Sequence, residues 1–341
     1  MGTRLIALDL DGTLLNEKMH VSEKTRQVME LCAQRGIEIV PATGRALPAV
    51  PEEVLSLPGV HYGIFTNGAV VRDFGKNTWV SESCLSWEET IRVIEVLRRH
   101  PVIYDMYVSE GGVSETRLLA QLEEYGIPER ECAYIRATRR AVTDMVEYLR
   151  EKKCPVQKMN LNFKDRESKQ AVRAKLEAMP EVLVTSSLPW NLELNAAGIT
   201  KGSGLRNLCQ YLGIEAEETM AFGDGENDWP MLEAAGIGVA MENGAPFLKE
   251  RADRIAASNR EEGVAEAIRQ WVLKKKKTGC SWWWQSIWFP WYCTGITADS
   301  SAWQSRPFPW CCRWGWFILV RRLSRICFAA MRWSIRRWRT A

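Results

Sequence analysis

The stretch Leu5–Leu15 reads LIALDLDGTLL. Its first four residues are a continuous apolar run, the pattern of a strand buried on both faces, and the run stops at Asp9, Asp11, Gly12 and Thr13. A parallel strand of this kind delivers two carboxylates to its carboxyl end, the edge at which open α/β sheets bind ligands. Asp9 and Asp11 lie two apart, so an extended backbone points both side chains the same way, and Gly12 permits a sharp turn directly afterwards. For an isolated Asp-Gly pair, a plain turn closing a strand is the ordinary reading. Two acids at the end of a buried strand weaken it. Like charges this close repel unless a cation or a shared proton relieves them, which predicts a divalent metal.

Outward from this strand, helix and strand patterns alternate. Ser22 to Arg35 is amphipathic, with Ser22 placed as N-cap and Gly36 as terminator. Further buried strands are expected at Ile37–Val40, which empties into Pro41-Ala42-Thr43-Gly44-Arg45, and at His61–Phe65, which ends at Thr66-Asn67-Gly68 with a hairpin continuing at Val70-Val71. The pattern resumes at Thr219–Phe222, ending at Gly223-Asp224, and at Ile237–Ala240. Repeated β, turn, α units imply an α/β fold, a doubly wound parallel sheet with helices on both faces. Between about Cys84 and Ser187 the texture changes. Helices expected at 86–100, 115–125, 138–152 and 167–179 interleave with strands at 102–108, 156–163 and 182–185, and none of these strands ends in an acidic or Gly-rich turn. This stretch reads as a second α/β domain inserted into the first, giving a core of 1–83 and 188–273 and an insert of 84–187. One large domain is the alternative.

Charge is unevenly distributed. Of 45 basic and 42 acidic residues, 13 basic and one acidic lie from Lys274 onward, so residues 1–273 are acidic and the remaining tail, 274–341, is strongly basic. The acidic body gives no sign of a nucleic-acid groove. Asp9 and Asp11 interrupt the apolar stretch where a secretory signal would have to continue, and the five body cysteines have no close paired spacing. Both point to a reduced, cytoplasmic protein.

Four short motifs carry the chemistry. Asp9 and Asp11 are the first. In the second, Thr43-Gly44-Arg45, a hydroxyl and backbone N–H groups stand at a strand end, a suitable cradle for a phosphoryl oxygen, although Thr43 alone would serve equally as a helix cap. The third, Gly198-Ile199-Thr200-Lys201-Gly202, precedes a helical run from Ser203 to Leu212. A lysine at a helix start opposes the helix dipole and is better explained by an anion that it holds, with a solvated surface lysine as the alternative. The fourth, Gly223-Asp224-Gly225-Glu226-Asn227-Asp228, sets three acids after a buried strand and between Phe222 and Met231-Leu232. Oxygen ligands in such a loop suit a hard cation, Mg²⁺ in particular.

In this order and at these strand ends, the motifs resemble the haloacid dehalogenase-like hydrolase superfamily and, within it, the Cof-type phosphatases with an inserted α/β cap. The matching stretches are DLDGTLL at 9–15, ATGR at 42–45, GITKG at 198–202 and GDGENDWPML at 223–232; TNGA at 66–69 and ADRIAASNREEGVAEAI at 252–268 also look alike. The resemblance covers roughly residues 1–273 and implies a Rossmann-like core under a mobile cap. It also implies that Asp9 is a nucleophile forming an aspartyl-phosphate and that Asp11 is the general acid and base. Mg²⁺ would then be held by Asp9, the Asp11 backbone carbonyl and Asp224, with Asp228 in support. Thr43, Gly44, Lys201 and Asn227 would hold the phosphate of a small phosphorylated metabolite, such as a sugar phosphate. A phosphomutase would share these motifs, and a non-catalytic binding protein would be expected to have lost one of the charged residues.

The tail has no counterpart in that family. It holds 11 of the 16 tryptophans and five cysteines, Cys280, Cys293, Cys311, Cys312 and Cys327. Its longest apolar run, Trp314–Val320, is far short of the ~20 residues that a transmembrane helix needs, and CxxC spacing is absent. It reads as a stretch outside the fold, with an interfacial segment or nucleic-acid contact as alternatives and its partner unknown.

Overall fold

Along Leu5–Leu8, Ile6 and Leu8 point to one side of the strand and Leu5 and Ala7 to the other, and all four are fully buried, so both faces of their sheet must be covered. The computed structural model describes residues 2–274. In chain order its strands are β1 (Leu5–Leu8), β2 (Glu38–Pro41), β3 (Tyr62–Phe65), β4 (Val70–Asp73), β5 (Thr78–Glu82), β6 (Val102–Val108), β7 (Gly111–Glu115), β8 (Arg139–Val142), β9 (Lys158–Phe163), β10 (Val182–Thr185), β11 (Asn191–Ala196), β12 (Thr219–Gly223), β13 (Ile237–Met241) and β14 (Arg254–Ala256).

Five of these form a wholly parallel sheet in the order β14-β13-β12-β1-β2. A parallel bridge from Ala42 to Ile64 sets β3 beyond β2, and the chain then folds back through antiparallel β4 and β5. Ile6 and Leu8 pack with Val28 and Met29 of the helix Glu23–Ala33 and with Val264 and Ile268 of the helix Gly263–Ile268. Leu5 and Ala7 pack with Leu205 and Leu208 of the helix Lys201–Leu212 and with Met231 and Leu232 of the helix Trp229–Ala234. The sheet is therefore covered on both faces, and Ser22 caps the first helix by accepting from the Thr25 N–H. Strand order reverses at β1: the chain goes first to β2 on one side and returns much later to β12 on the other. A crevice at the carboxyl ends of β1 and β12 follows from that reversal.

A second sheet, β10-β11-β9-β6-β7-β8, is antiparallel except for the β7–β8 pair. Its strands alternate. Met106, Met159, Leu161, Leu192 and Leu194 face a core built with Ile94 and Leu97 of the helix Trp87–Leu97, Leu149 of the helix Met145–Lys152 and Leu176 of the helix Arg166–Glu177. Asp105, Lys158, Asn160, Glu193 and Asn195 occupy the other set of positions.

Three details depart from the sequence reading, one of them the helix expected at 115–125, which is a short helix Thr116–Leu119 followed by a tighter helical turn Leu122–Tyr125. The insert does not end at 187: β11 lies between β10 and β9, pairing Leu192 with Leu161, so Asn191–Ala196 belongs to the second sheet and the chain re-enters the first domain only afterwards. The helix expected at 138–152 is instead a helix Glu129–Thr138, then β8, then the helix Met145–Lys152. Pairing with β7 and the buried Arg139–Asp105 ion pair extend the chain at 139–142, and Asp144 restarts the helix by accepting from the Val146 and Glu147 N–H groups. Cys32, Cys84, Cys132, Cys154 and Cys209 are free thiols. Among the described residues no helix is long and apolar enough to cross a membrane. The tail's Trp/Arg-rich stretch and its five cysteines lie outside the described residues.

Candidate active site

Asp9 follows β1 directly, and the chain then turns through Gly12, whose φ of +82° is the left-handed conformation that glycine tolerates. A Cβ at Gly12 would stand 2.3 Å from Asp224 Oδ2, so the absence of a side chain is what lets the β1 and β12 loops approach each other. Thr13 Oγ1 donates to Asp224 Oδ1 at 2.9 Å, and Asn243 Nδ2 donates to the Gly12 carbonyl at 2.8 Å. From the far side comes Lys201, the first residue of its helix, 1% exposed. Its Nζ donates to Asp9 Oδ1 and to Asp228 Oδ1, both at 2.6 Å. The other Asp228 oxygen accepts from the backbone N–H groups of Asp224 and Gly225 at 2.8 Å each. Asp228 thus holds both the lysine and the loop that presents Asp224.

Carboxylate oxygens of Asp9, Asp224 and Asp228 all lie within 4.8 Å of one another. One buried ammonium cannot balance three carboxylates. Burial and then the charge of Asp228 push the Asp9 carboxyl well above its usual range, despite Lys201. The same two causes push Asp224 up to about 7. Burial opposes the charge of Lys201, but Asp228 and Asp9 more than compensate and its pKa is raised. An excess of hard oxygen donors with depressed acidity fits a divalent cation such as Mg²⁺.

Asp11 is placed differently from its neighbour. Its half-exposed carboxylate lies outside this cluster, paired in fork geometry with Arg45, whose Nε and Nη2 donate at 2.8 and 2.5 Å. Only its backbone carbonyl is left for the role at the cation that the family resemblance implies. Thr43 is buried, and its Oγ1 accepts from the Arg45 N–H at 3.1 Å, tightening the loop after β2. Asn227 donates through Nδ2 to Asn67 Oδ1 at 3.1 Å. The second sheet also reaches this loop, since Lys158 Nζ donates to the Gly44 carbonyl at 2.6 Å.

Every residue singled out in the sequence therefore lies at the carboxyl edge of the first sheet or on the helix beside it, although the Asp11 side chain turns away. Arg45 and Asn67 lie in stretches that the sequence reading quotes without giving either residue a role, whereas Lys158 and Glu193 lie outside every motif. For the last two a signal existed: KMNLNF at 158–163 and NLELNA at 191–196 alternate polar with apolar residues, so each strand has a polar face that its own core leaves uncovered.

Residues 6–268 match the family model described as haloacid dehalogenase-like hydrolase. The chain is 32% identical over 289 residues to phosphatase YwpJ of Bacillus subtilis, covering 78% of this chain and 99% of that one. It is 30% identical over 274 residues to the 5-amino-6-(5-phospho-D-ribitylamino)uracil phosphatase YcsE of the same organism, covering 79% and 96%. Among solved structures, a haloacid dehalogenase-like hydrolase from B. subtilis superposes with a TM-score of 0.68 at 28% identity, covering 78% of this chain and 99% of that one.

Proposed function

The chain belongs to the haloacid dehalogenase-like hydrolase family, and from that premise we propose that it is a Mg²⁺-dependent phosphatase of small phosphorylated metabolites, working through an aspartyl-phosphate on Asp9. The observation that carries this reading is the set of buried Asp9, Lys201 and Asp228 with half-buried Asp224, beside the Thr43–Gly44 loop. Asp9 stands at the end of β1, with Oδ1 held by Lys201, leaving Oδ2 as the oxygen that would attack phosphorus. The new bond joins that oxygen to phosphorus as the ester P–O bond breaks, and Asp11 supplies the proton to the departing oxygen. In the second half, Asp11 takes a proton from water as the water oxygen attacks phosphorus. The P–O bond to Asp9 then breaks, returning the carboxylate and releasing phosphate.

Lys201 and the N–H groups of the Thr43–Gly44 loop offset charge on the phosphoryl oxygens, with Asn227 orienting one of them. Mg²⁺, held by Asp9, Asp224 and the Asp11 carbonyl with Asp228 behind them, would supply further charge neutralisation at those oxygens. Arg45 holds the Asp11 carboxylate away from the cluster, so proton transfer requires that ion pair to open and Asp11 to turn toward the departing oxygen.

The two acids are separable by trapping the phosphorylated protein in acid and locating the phosphoryl group by mass spectrometry. Asp9→Asn is expected to abolish both turnover and the trapped species. Asp11→Asn is expected to abolish steady-state turnover yet still accumulate phosphoryl-Asp9 from an aryl phosphate, whose leaving group needs no proton. Phosphoryl trapped on any other residue would overturn the assignment.

A further inference from the structure

Glu193 and Lys158 are charged residues buried on the polar face of the second sheet, and each divides its bonds between the two domains. Glu193 Oε1 accepts from Ser187 Oγ at 2.8 Å and lies 3.3 Å from Lys158 Nζ, both within the second domain. Its Oε2 accepts from Asn67 Nδ2 of the first domain at 2.5 Å. Lys158 likewise pairs with Glu193 inside its own sheet and donates across the interface to the Gly44 carbonyl. Two opposite charges on adjacent strands satisfy each other without leaving their sheet, so burial alone does not require these bonds to the first domain. One of these bonds ends on the Thr43–Gly44 loop assigned to the phosphate, and the other on Asn67, which bonds the phosphate-assigned Asn227.

A carboxylate only accepts hydrogen bonds, so Glu193, together with Asn195 Oδ1 at 3.2 Å from Asn67 Nδ2, turns the Asn67 NH₂ toward the second domain and its carbonyl oxygen toward Asn227. That oxygen is the one accepting from Asn227 Nδ2. The turn that carries Asn67 is strained. Thr66 and Asn67 have φ of 47° and 58°, and Thr66 Oγ1 is buried with no hydrogen-bond partner among the described residues. Such a turn persists only where its surroundings hold it, and Asn195 of the second sheet does so, donating to the Thr66 carbonyl at 2.8 Å. Glu193 stays ionised in this setting: burial works to raise its pKa, but the charge of Lys158 and the bonds from Asn67 and Ser187 lower it on balance.

We propose that Glu193 and Lys158 are positioning residues for phosphoryl transfer, setting Asn67 with Asn227 and the Thr43–Gly44 loop in reacting geometry. This rests on the reading of those loops as the phosphate site.

The test measures kcat and KM for Glu193→Gln, Lys158→Met, Asn67→Ala and the Glu193→Gln/Asn67→Ala double variant. Two probes are used: acetyl phosphate, which has almost no leaving group to touch the second sheet, and para-nitrophenyl phosphate. Each single variant is expected to lower kcat roughly ten- to hundredfold on both probes, the scale of a misplaced reacting group, with KM changing less. The double variant is expected to be no slower than the slower single one, because Glu193 acts through Asn67. Thermal unfolding identifies any variant that fails to fold, and Lys158→Met, which keeps its stem packed, then carries the test alone through the same kcat and KM comparison on the two probes. A loss confined to para-nitrophenyl phosphate would make the pair a leaving-group contact and overturn the proposal, as would wild-type kcat or losses that multiply in the double variant. Asp9→Asn separates the two levels: if it retains turnover the phosphatase reading itself fails, whereas an inactive Asp9→Asn beside a fully active Glu193→Gln removes only this proposal.

Discussion

Lys201 is the side chain on which the site's electrostatics turn. It is the ammonium that bridges Asp9 and Asp228, and it is buried with them. Lys201→Met removes one partner of a buried ionic set and leaves the carboxylates uncompensated, a change that costs about 3–5 kcal/mol in comparable cases. Denaturant unfolding of the ion-free variant is expected to show a loss of that order, along with loss of turnover. Asp224 supplies a pH dependence. Its carboxyl in the folded chain titrates near 7 instead of near 3.8, so between those values the folded state binds more protons than the unfolded one. Stability of the ion-free protein should therefore fall as pH rises from about 4 to about 7. A cation competes with that proton, so added Mg²⁺ is expected to raise Tm more at pH 8 than at pH 5.5, and an equal shift at both would contradict the cluster as its site.

At the scale of elements, Lys201 is only as well placed as the start of its helix. Thr200 caps that helix by accepting from the Ser203 N–H, and two glycines bring it close to its neighbours. A Cβ at Gly202 would come within 2.1 Å of the Pro230 carbonyl oxygen, and one at Gly68 within 2.1 Å of the Thr200 carbonyl oxygen. Neither obstacle is a flexible side chain. Gly202→Ala must push the helix Lys201–Leu212 away from Trp229–Ala234, an overpacking expected to destabilise by about 1–3 kcal/mol in urea unfolding. Because the displaced helix carries Lys201, kcat should fall by more than the loss of folded protein accounts for.

Across residues 2–274, the reversal of strand order brings the four motifs to one edge, and the second sheet makes contact with that edge. Contacts across the interface include Lys158 to Gly44, Glu193 to Asn67, Asn195 to Thr66, and the Arg173–Glu226 ion pair at 2.8 Å from the helix Arg166–Glu177 to the loop after β12. All the residues assigned to the site, and the last described element, precede Lys277. A chain shortened to residues 1–277 is therefore expected to keep kcat/KM nearly unchanged, and loss of most of its activity while still folded would show that the remaining residues contribute to the site.

The sequence by itself determined the parallel core and which of its strands end in acids. A fully apolar run that breaks into acids needs no knowledge of its neighbours to be read as a buried strand with a polar end, and Leu5–Leu15 and Thr219–Asp228 both have that form. It also marked Thr43 and Gly44 after a second apolar strand, Asn227 in the acidic loop, and Lys201 at the start of a helix. What only the tertiary structure decided was which of these groups meet. Lys201 and Asp9 are 192 residues apart and Thr13 and Asp224 are 211 apart, so their pairing depends on which strands become neighbours. The turning of Asp11 onto Arg45 follows from the adjacency of β1 and β2. The link from Glu193 through Asn67 to Asn227 joins three segments of two domains, and no local pattern of spacing encodes it. Burial and alternation are properties of a segment and are written in it; a hydrogen-bond partner is a property of the packing, and appears only once the segments are brought together.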